Sequence, residues 1–257
     1  MSAKNIFAQV VSVKKITNEV FLIALSSPHL LKNVSCGQFL HIKIPGAILR
    51  RPLSVHDVRE NKIFILFRVR GKGTAALSGF KAADKLDVIG PLGKGFRLDK
   101  CELKEGKNIL IAGGIGVAPL LFLARQIVKI SKKAPILLVG AKYKNDILAA
   151  SSFKQLGCKV FIATDDGSLG IKGSVIDLLR KVLLSQEKVN IFACGPQVMF
   201  KALSNEIKNR NNIKGQVSFE QFMGCGIGTC CGCTVETKHG YKKACKDGPV
   251  FDINEVF

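Results

Sequence analysis

Short apolar runs punctuated by turn residues fill the first part of the chain. Stretches rich in Val, Ile, Leu and Phe occur at 6–13, 19–25, 38–44 and 62–69, and Ser26-Ser27-Pro28, Pro45-Gly46 and Glu60-Asn61 lie between them. Runs of this length bounded by turn residues read as strands. Several of them at close spacing, with no long helical pattern, predict a small antiparallel β-barrel. From Gly106 the period changes. Strands are expected at 108–112, 135–140, 159–164 and 190–194. Helical apolar spacing occupies 116–130, where Val117, Leu120, Leu121, Ala124, Ile127 and Val128 share a face, and also 146–156, 174–184 and 197–208. Such alternation predicts a parallel sheet covered by helices on both faces. After Val217 the helical pattern fades and glycine and cysteine dominate. The expected division is a barrel over 1–100, an α/β domain over 101–216 and a small C-terminal domain over 217–257.

Composition changes this picture in two places. Apolar residues make up 47% of the 257, enough for substantial cores, while the formal net charge is +20. That charge suits an anionic partner or a generally lysine-rich surface. Its lysines are spread along the chain, there is no Trp, and there are only two Tyr. The stacking platform of a single-strand binder is therefore poorly supplied, and no nucleic-acid partner is expected. The start, Met1-Ser2-Ala3-Lys4-Asn5, lacks an apolar core of signal-peptide length. The longest apolar runs, at 108–118 and 119–124, contain glycines and a proline and end at Arg125. They are too short to span a bilayer, so a cytoplasmic chain with no membrane partner is expected.

Five of the nine cysteines fall in the last segment. Crowded cysteines without a secretory signal suggest metal ligation rather than disulfides. Cys225, Cys230, Cys233 and Cys245 are spaced C-x4-C-x2-C-x11-C, the spacing of plant-type [2Fe–2S] ligands. Gly224, Gly226, Gly228 and Gly232 let a backbone wrap a cluster and present amides to its sulfurs. A zinc ribbon usually carries two C-x2-C pairs, and only Cys230 and Cys233 have that spacing. A hairpin over 234–244, turning at His239-Gly240, would return the fourth ligand. Cys231 receives no role. Cys36, Cys101, Cys158 and Cys194 are scattered, as free thiols commonly are.

Three further elements point to nucleotide cofactors. Arg51-Pro52-Leu53-Ser54 follows a predicted strand, where an arginine and a serine could meet a flavin, although an ordinary turn would explain it too. Leu66-Phe67-Arg68 precedes Gly71-Lys72-Gly73-Thr74, whose glycines and helix start could form an anion site. Gly113-Gly114-Ile115-Gly116-Val117-Ala118-Pro119 sits between a strand and a helix, the right context for a pyrophosphate. It is not the G-x-G-x-x-G fingerprint. Asp165 follows the third strand of the α/β segment, and Cys194-Gly195-Pro196 follows the last.

In this order the motifs resemble the ferredoxin–NADP reductase superfamily: a flavin barrel with an arginine motif and a later Gly-Thr turn, a G-G-x-G-x-A-P loop, and a Cys-Gly-Pro turn facing the nicotinamide. With the cysteine tail and the ending Cys245-Lys-Asp-Gly-Pro-Val-Phe-Asp252, the whole chain resembles the electron-transfer subunits of dihydroorotate dehydrogenase B. That resemblance implies FAD, a [2Fe–2S] cluster and NAD, and an FMN-containing catalytic subunit as partner in a heterotetramer of two of each. It also implies a role in pyrimidine biosynthesis, with electrons passing from the FMN subunit through cluster and FAD to NAD+. No catalytic acid or base is expected here. The alternative is an NAD(P)H-dependent ferredoxin reductase or hydrogenase diaphorase-type subunit. In the smaller ferredoxin–NADP oxidoreductase subunit the first cluster ligand is typically an aspartate, where this chain has Cys225. Lys142 and Lys144 leave NAD against NADP open at the level of the residues.

Overall fold

The computed structural model describes residues 5–183 and 187–257. Met1 to Lys4, read above for a leader, and Leu184, the expected end of one helix, lie outside the described residues. By compactness the chain forms two units. One comprises the chain through Gly95 together with Gln221–Val235 and Tyr241–Pro249. The other comprises Phe96–Glu220, Glu236–Gly240 and Val250–Phe257.

The first unit is built on strands β1 (Asn5–Lys15), β2 (Val20–Ser26), β3 (Phe39–Ile42), β4 (Arg51–Ser54), β5 (Asp57–Arg59), β6 (Lys62–Arg68) and β7 (Lys85–Leu92). They form one antiparallel sheet in the order β4-β3-β7-β1-β2-β6-β5. β4 approaches β6, so the sheet curls toward the expected barrel. Alternation in β1 buries Ala8 and Val10 and exposes Phe7 and Gln9, the period-2 pattern of a strand with one wet face. β6 is buried throughout from Ile63 to Phe67. Two short helices, α1 (Pro28–Leu31) and α2 (Lys72–Ser78), complete this part. β4 was expected only as a motif after a strand. It is itself a strand, with Leu53 opposite Leu40 and Ser54 opposite Phe39.

The second unit begins with α3 (Lys100–Glu105). It carries β8 (Lys107–Gly113), β9 (Ile136–Ala141), β10 (Lys159–Thr164), β11 (Ile171–Lys172), β12 (Val189–Cys194) and β13 (Ile213–Ser218). Its helices are α4 (Leu120–Ser131), α5 (Ala150–Gln155), α6 (Val175–Val182) and α7 (Gln197–Ile207). The sheet order is β11-β10-β9-β8-β12-β13-β16, where β16 (Val250–Asp252) is the single antiparallel member among the described strands. Chain order reverses between β8 and β12, which makes their C-terminal ends the topological switch point where ligands of such sheets bind. The helix expected over 146–156 is broken: a 3-10 turn covers Lys144–Asp146, and Ala149 stands at φ 57° before α5 starts. The stretch Gly114–Ser131 has the length and apolarity of a membrane span, but 61% of it is buried, with α4 in the core of this unit.

The C-terminal residues are shared between the units. A hairpin of β14 (Thr234–Thr237) and β15 (Gly240–Lys243) leads to Cys245, as expected. The last residues then join the parallel sheet: Val217 pairs with Phe251, and α8 (Ile253–Val256) follows. An aromatic cluster explains this docking. Phe219 meets Phe251 at 5.8 Å, Phe200 at 5.3 Å and Phe257 at 6.1 Å between ring centroids. Each such contact adds to the area term by roughly 0.5–1.5 kcal/mol.

Candidate functional site

The cysteine loop lies in the first unit and is organised by its own amides. Cys225 Sγ accepts N–H bonds from Thr229 at 3.3 Å and Cys230 at 3.4 Å, and Cys230 Sγ accepts from the Cys225 N–H at 3.5 Å. Burial pushes the Cys225 thiol up, but the amides of Cys230, Ile227 and Thr229 outweigh it and bring the pKa down to about 6. That is a thiolate site before any metal is considered. Cys233 and Cys245 are buried with their sulfurs 3.2 Å apart, well beyond the roughly 2.05 Å of a disulfide. Burial and the neighbouring Cys233 push Cys245 up to about 12. Hydrogen bonds group the four cysteines in two pairs, Cys225 with Cys230 and Cys233 with Cys245. A set of four sulfur donors fits a [2Fe–2S] cluster. Cys231 is exposed at φ 58°, and its Sγ makes a long 4.0 Å contact to the Thr229 carbonyl.

This loop rests on a residue that the sequence reading passed over. Gly226 has φ +72°, and a Cβ there would lie 2.4 Å from His41 Nδ1. Glycine is required on both counts. His41 is fully buried on β3. Burial first, then the Arg50 charge, lower its pKa; the main chain of Cys225 and Arg50 partly offsets this, and the net lowering favours the neutral ring. The available signal was a lone polar residue inside the apolar run Phe39-Leu40-His41-Ile42.

The two flavin-type motifs are brought together in the same unit. A Cβ on Gly73 would lie 2.9 Å from Arg51 Nε and 3.0 Å from its Nη2, so the guanidinium lies flat against the start of α2. Adjacent arginines divide their tasks. Arg50 forms a two-point ion pair with Asp87, 3.0 Å to each oxygen, whereas Arg51 donates to the carbonyls of Leu49 at 2.6 Å and Arg50 at 3.3 Å. Arg51 therefore keeps an uncompensated charge beside a glycine-rich turn, which suits a phosphate. The Thr74 hydroxyl accepts from the Arg70 N–H at 2.8 Å and the Gly71 N–H at 3.3 Å, capping α2. Pro52, Leu53 and Ser54 are half-buried on β4, Leu66 and Phe67 are buried on β6, and Arg68 lies 3.9 Å from Glu19 at the strand's end.

In the second unit the loops after β8 and β12 interlock. A Cβ on Gly116 would lie 2.2 Å from the Cys194 carbonyl, and one on Gly113 would lie 2.7 Å from Pro196 Cδ. Gly113, Gly116, Cys194, Gly195 and Pro196 therefore meet at the switch point. Gly114 stands beside them at φ 54° with open space where a Cβ would be, and Pro119 occupies the N-cap position of α4. Burial pushes the Cys194 thiol up to about 12, helped by the Glu220 charge and opposed by the Ser218 hydroxyl. It is a neutral thiol at physiological pH. Asp165 is exposed after β10, two strands from β8 along the same edge, about 10 Å away at ordinary strand spacing. The structure does not bring it to Cys194. Its neighbour Asp166 accepts from the Ser168 hydroxyl at 2.7 Å and amide at 3.0 Å, which lowers its pKa.

Comparison with known proteins bears on the same regions. Residues 220–257 match the family described as "Iron-sulfur cluster binding domain of dihydroorotate dehydrogenase B", and residues 110–205 match "Oxidoreductase NAD-binding domain". Curated relatives named dihydroorotate dehydrogenase B (NAD(+)), electron transfer subunit, include one from Desulforamulus reducens, 38% identical with 97% of each chain covered. Another, from Caldanaerobacter subterraneus subsp. tengcongensis, is 39% identical with the same coverage. The chain belongs to this family of electron transfer subunits. Its place there makes it a subunit of an NAD-linked oxidoreductase with iron–sulfur and NAD-binding domains.

Among solved structures, an NADH-dependent reduced ferredoxin–NADP oxidoreductase matches with a TM-score of 0.84 and 31% identity, covering all of this chain and 91% of that one. A Neisseria gonorrhoeae ferredoxin NADP+ reductase with bound FAD and NADP shares the fold, with a TM-score of 0.68 at 17% identity over 85% of this chain and 100% of that one. Both agree with the expected fold class. Burial pushes Cys36 up to about 12 and Cys158 to about 11, as for inert core thiols, and Cys101 is exposed on α3.

Proposed function

We propose that this chain passes electrons from an FMN-containing dihydroorotate dehydrogenase catalytic subunit to NAD+ in pyrimidine biosynthesis. The observation that carries the reading is the pair-wise cysteine loop with amides aimed at Cys225, in a chain whose relatives carry that subunit's name. Cys225, Cys230, Cys233 and Cys245 would hold the [2Fe–2S] cluster. Arg51, Pro52, Leu53, Ser54, Leu66, Phe67, Arg68, Gly73 and Thr74 would hold FAD, and Gly113, Gly114, Gly116, Pro119, Asp165, Cys194, Gly195 and Pro196 would hold NAD. The three segments 1–100, 101–216 and 217–257 then correspond to the three cofactors, whatever the compact units. When bound, the cluster supplies one-electron exchange, the flavin converts between one- and two-electron chemistry, and the nicotinamide accepts a hydride.

The residues themselves bind, orient and exclude. Arg51 supplies a fixed positive charge for a phosphate, and the Gly116–Cys194 contact leaves a floor with no side chain under a flat ring. No side chain is needed to abstract a proton, because dihydroorotate is oxidised on the partner. Phe222 and Ile227 support a docking role for the 224–232 loop, since both are large apolar residues left 93% and 48% exposed beside the cluster ligands. A heterotetramer of two chains of each kind, in the cytoplasm, completes the proposal.

Reconstitution tests it. The isolated chain should pass electrons from NADH to artificial acceptors and oxidise no dihydroorotate, and adding the FMN subunit should create NAD-linked dihydroorotate oxidation. Oxidation by the isolated chain would defeat the two-subunit reading. A reconstituted pair that never oxidises dihydroorotate would replace it with the ferredoxin–NADP oxidoreductase or diaphorase role.

A further inference from the structure

The peptide between Gly228 and Thr229 is engaged at both ends. Its N–H donates to Cys225 Sγ at 3.3 Å, and its carbonyl accepts from Lys243 Nζ at 2.7 Å. The ammonium and the sulfur are therefore joined through a single amide. Lys243 is well held for such a task. It ends β15, two residues before Cys245, and its side chain is half-buried. Its own N–H donates to Asp247 Oδ2 at 2.9 Å, and its carbonyl accepts the N–H groups of Lys246 at 3.0 Å and Asp247 at 2.7 Å. Asp247 thus binds the main chain of Lys243, while the ammonium is spent on the Gly228 carbonyl. This ammonium is tied to the cluster loop by a hydrogen bond.

We infer that Lys243 is a positioning residue that raises the reduction potential of the cluster by polarising the Gly228–Thr229 peptide. An ammonium on a carbonyl oxygen draws electron density along the amide and strengthens the N–H as a donor. Hydrogen bonds linked in this way reinforce one another by about 10–30% each. One-electron reduction adds a negative charge to the cluster without adding a proton. Stronger N–H to sulfur bonds and a nearby cation both favour that form, and both are recognised determinants of iron–sulfur potentials. The hairpin would then do more than return the fourth ligand: it would set how readily the cluster takes an electron.

The test uses the full-length chain carrying FAD and cluster. The cluster potential is measured by redox titration followed through the electron paramagnetic resonance signal of its reduced form, and the flavin potential by visible absorption. Lys243→Met removes bond and charge, Lys243→Gln keeps a donor for Gly228 without the charge, and Lys243→Arg keeps the charge. Lys243→Met should lower the reduced-to-oxidised ratio of the cluster about tenfold at the wild-type midpoint, equivalent to about 59 mV for one electron. Lys243→Gln should give a smaller shift in the same direction, Lys243→Arg should stay near wild type, and the flavin should not move. An unmoved cluster in Lys243→Met overturns the inference, as does an equal shift of the flavin. If Met and Gln variants lose the cluster while Arg retains it, the ammonium serves retention and the inference also falls. The inference rests on the ligand assignment proposed above. A wild-type chain without an iron–sulfur signal would defeat that assignment, whereas a signal with an unmoved potential in Lys243→Met defeats the Lys243 role alone.

Discussion

In the 224–233 loop the chemistry sits in side chains, while at the ends of β8 and β12 it sits in the absence of them. The sulfurs of Cys225, Cys230 and Cys233 define the first region, and its glycines serve mainly to aim amides at them. In the second, Gly116 lies where a methyl group would come within 2.2 Å of the Cys194 carbonyl, so its function is clearance. The contrast teaches where single residues matter. Removing a ligand deletes a bond to metal outright, whereas adding an atom to a packed backbone displaces two loops together. It also bears on robustness, because a ligand set fails all at once and a backbone surface degrades by degrees.

The largest expected effect breaks the first region. Cys225→Ser, Cys230→Ser, Cys233→Ser and Cys245→Ser should each lose the iron–sulfur absorption and the bound iron, with Cys233 and Cys245 most severe because both are buried. Cys231→Ser should retain both, since the residue is exposed and its sulfur makes a long 4.0 Å contact to the Thr229 carbonyl. Iron analysis and visible spectra of the five variants decide it. Equal loss in Cys231→Ser would mean that the ligand set is misassigned.

Next in size is a substitution that adds one methyl group to the second region. Gly116→Ala should push the loops after β8 and β12 apart, at a packing cost of roughly 1–3 kcal/mol. A displacement near 1 Å at a reacting centre can slow the step about 10²-fold. NADH-dependent flavin reduction, followed by stopped-flow absorption, should fall by about that factor while iron and FAD content stay at wild-type levels. An unchanged rate would remove Gly116 from the nicotinamide site. Joint loss of iron would mean that the two regions are not independent.

The same contrast explains what could be read from the residues alone. Cysteine spacing is a direct image of ligand geometry, so the cluster loop and its returning hairpin were legible. Strongly periodic elements such as α4 and the buried β8 and β12 were legible for a similar reason. β7 escaped notice because Lys85 and Asp87 alternate with its apolar residues and Pro91 interrupts it. β13 carries Lys214, Gly215 and Gln216 in its centre and reads as a loop. The docking of Val250 to Asp252 on the parallel sheet depends on Phe219 and Phe251 meeting in space, which no local pattern reveals. His41 and Lys243 were missed because each acts on a main-chain group remote in sequence, Gly226 and Gly228, and a carbonyl or a glycine leaves no record of its partner.

Arg51 lies between the two plans, since it is a single side chain serving a site otherwise made of turns and strands. Its guanidinium packs on Gly73 and is met by two main-chain carbonyls, while the neighbouring Arg50 is committed to Asp87. Removing it should therefore leave the barrel's ion pair intact and take away one charged hydrogen bond to a phosphate. Such a bond contributes roughly 1.5–3 kcal/mol, so Arg51→Ala should weaken FAD binding by about 10- to 150-fold at 1.4 kcal/mol per tenfold. That is a graded loss, unlike the all-or-none loss of a cysteine ligand. Equilibrium dialysis of FAD against the variant gives the affinity, and iron analysis of the same sample should show a full cluster. Arg50→Ala is the control: it should cost stability through the lost Asp87 pair, with a smaller change in flavin affinity. If Arg51→Ala binds FAD as tightly as wild type while Arg50→Ala does not, the phosphate contact belongs to the other arginine. If the flavin released from the wild-type chain is FMN, the barrel does not hold the cofactor assigned to it.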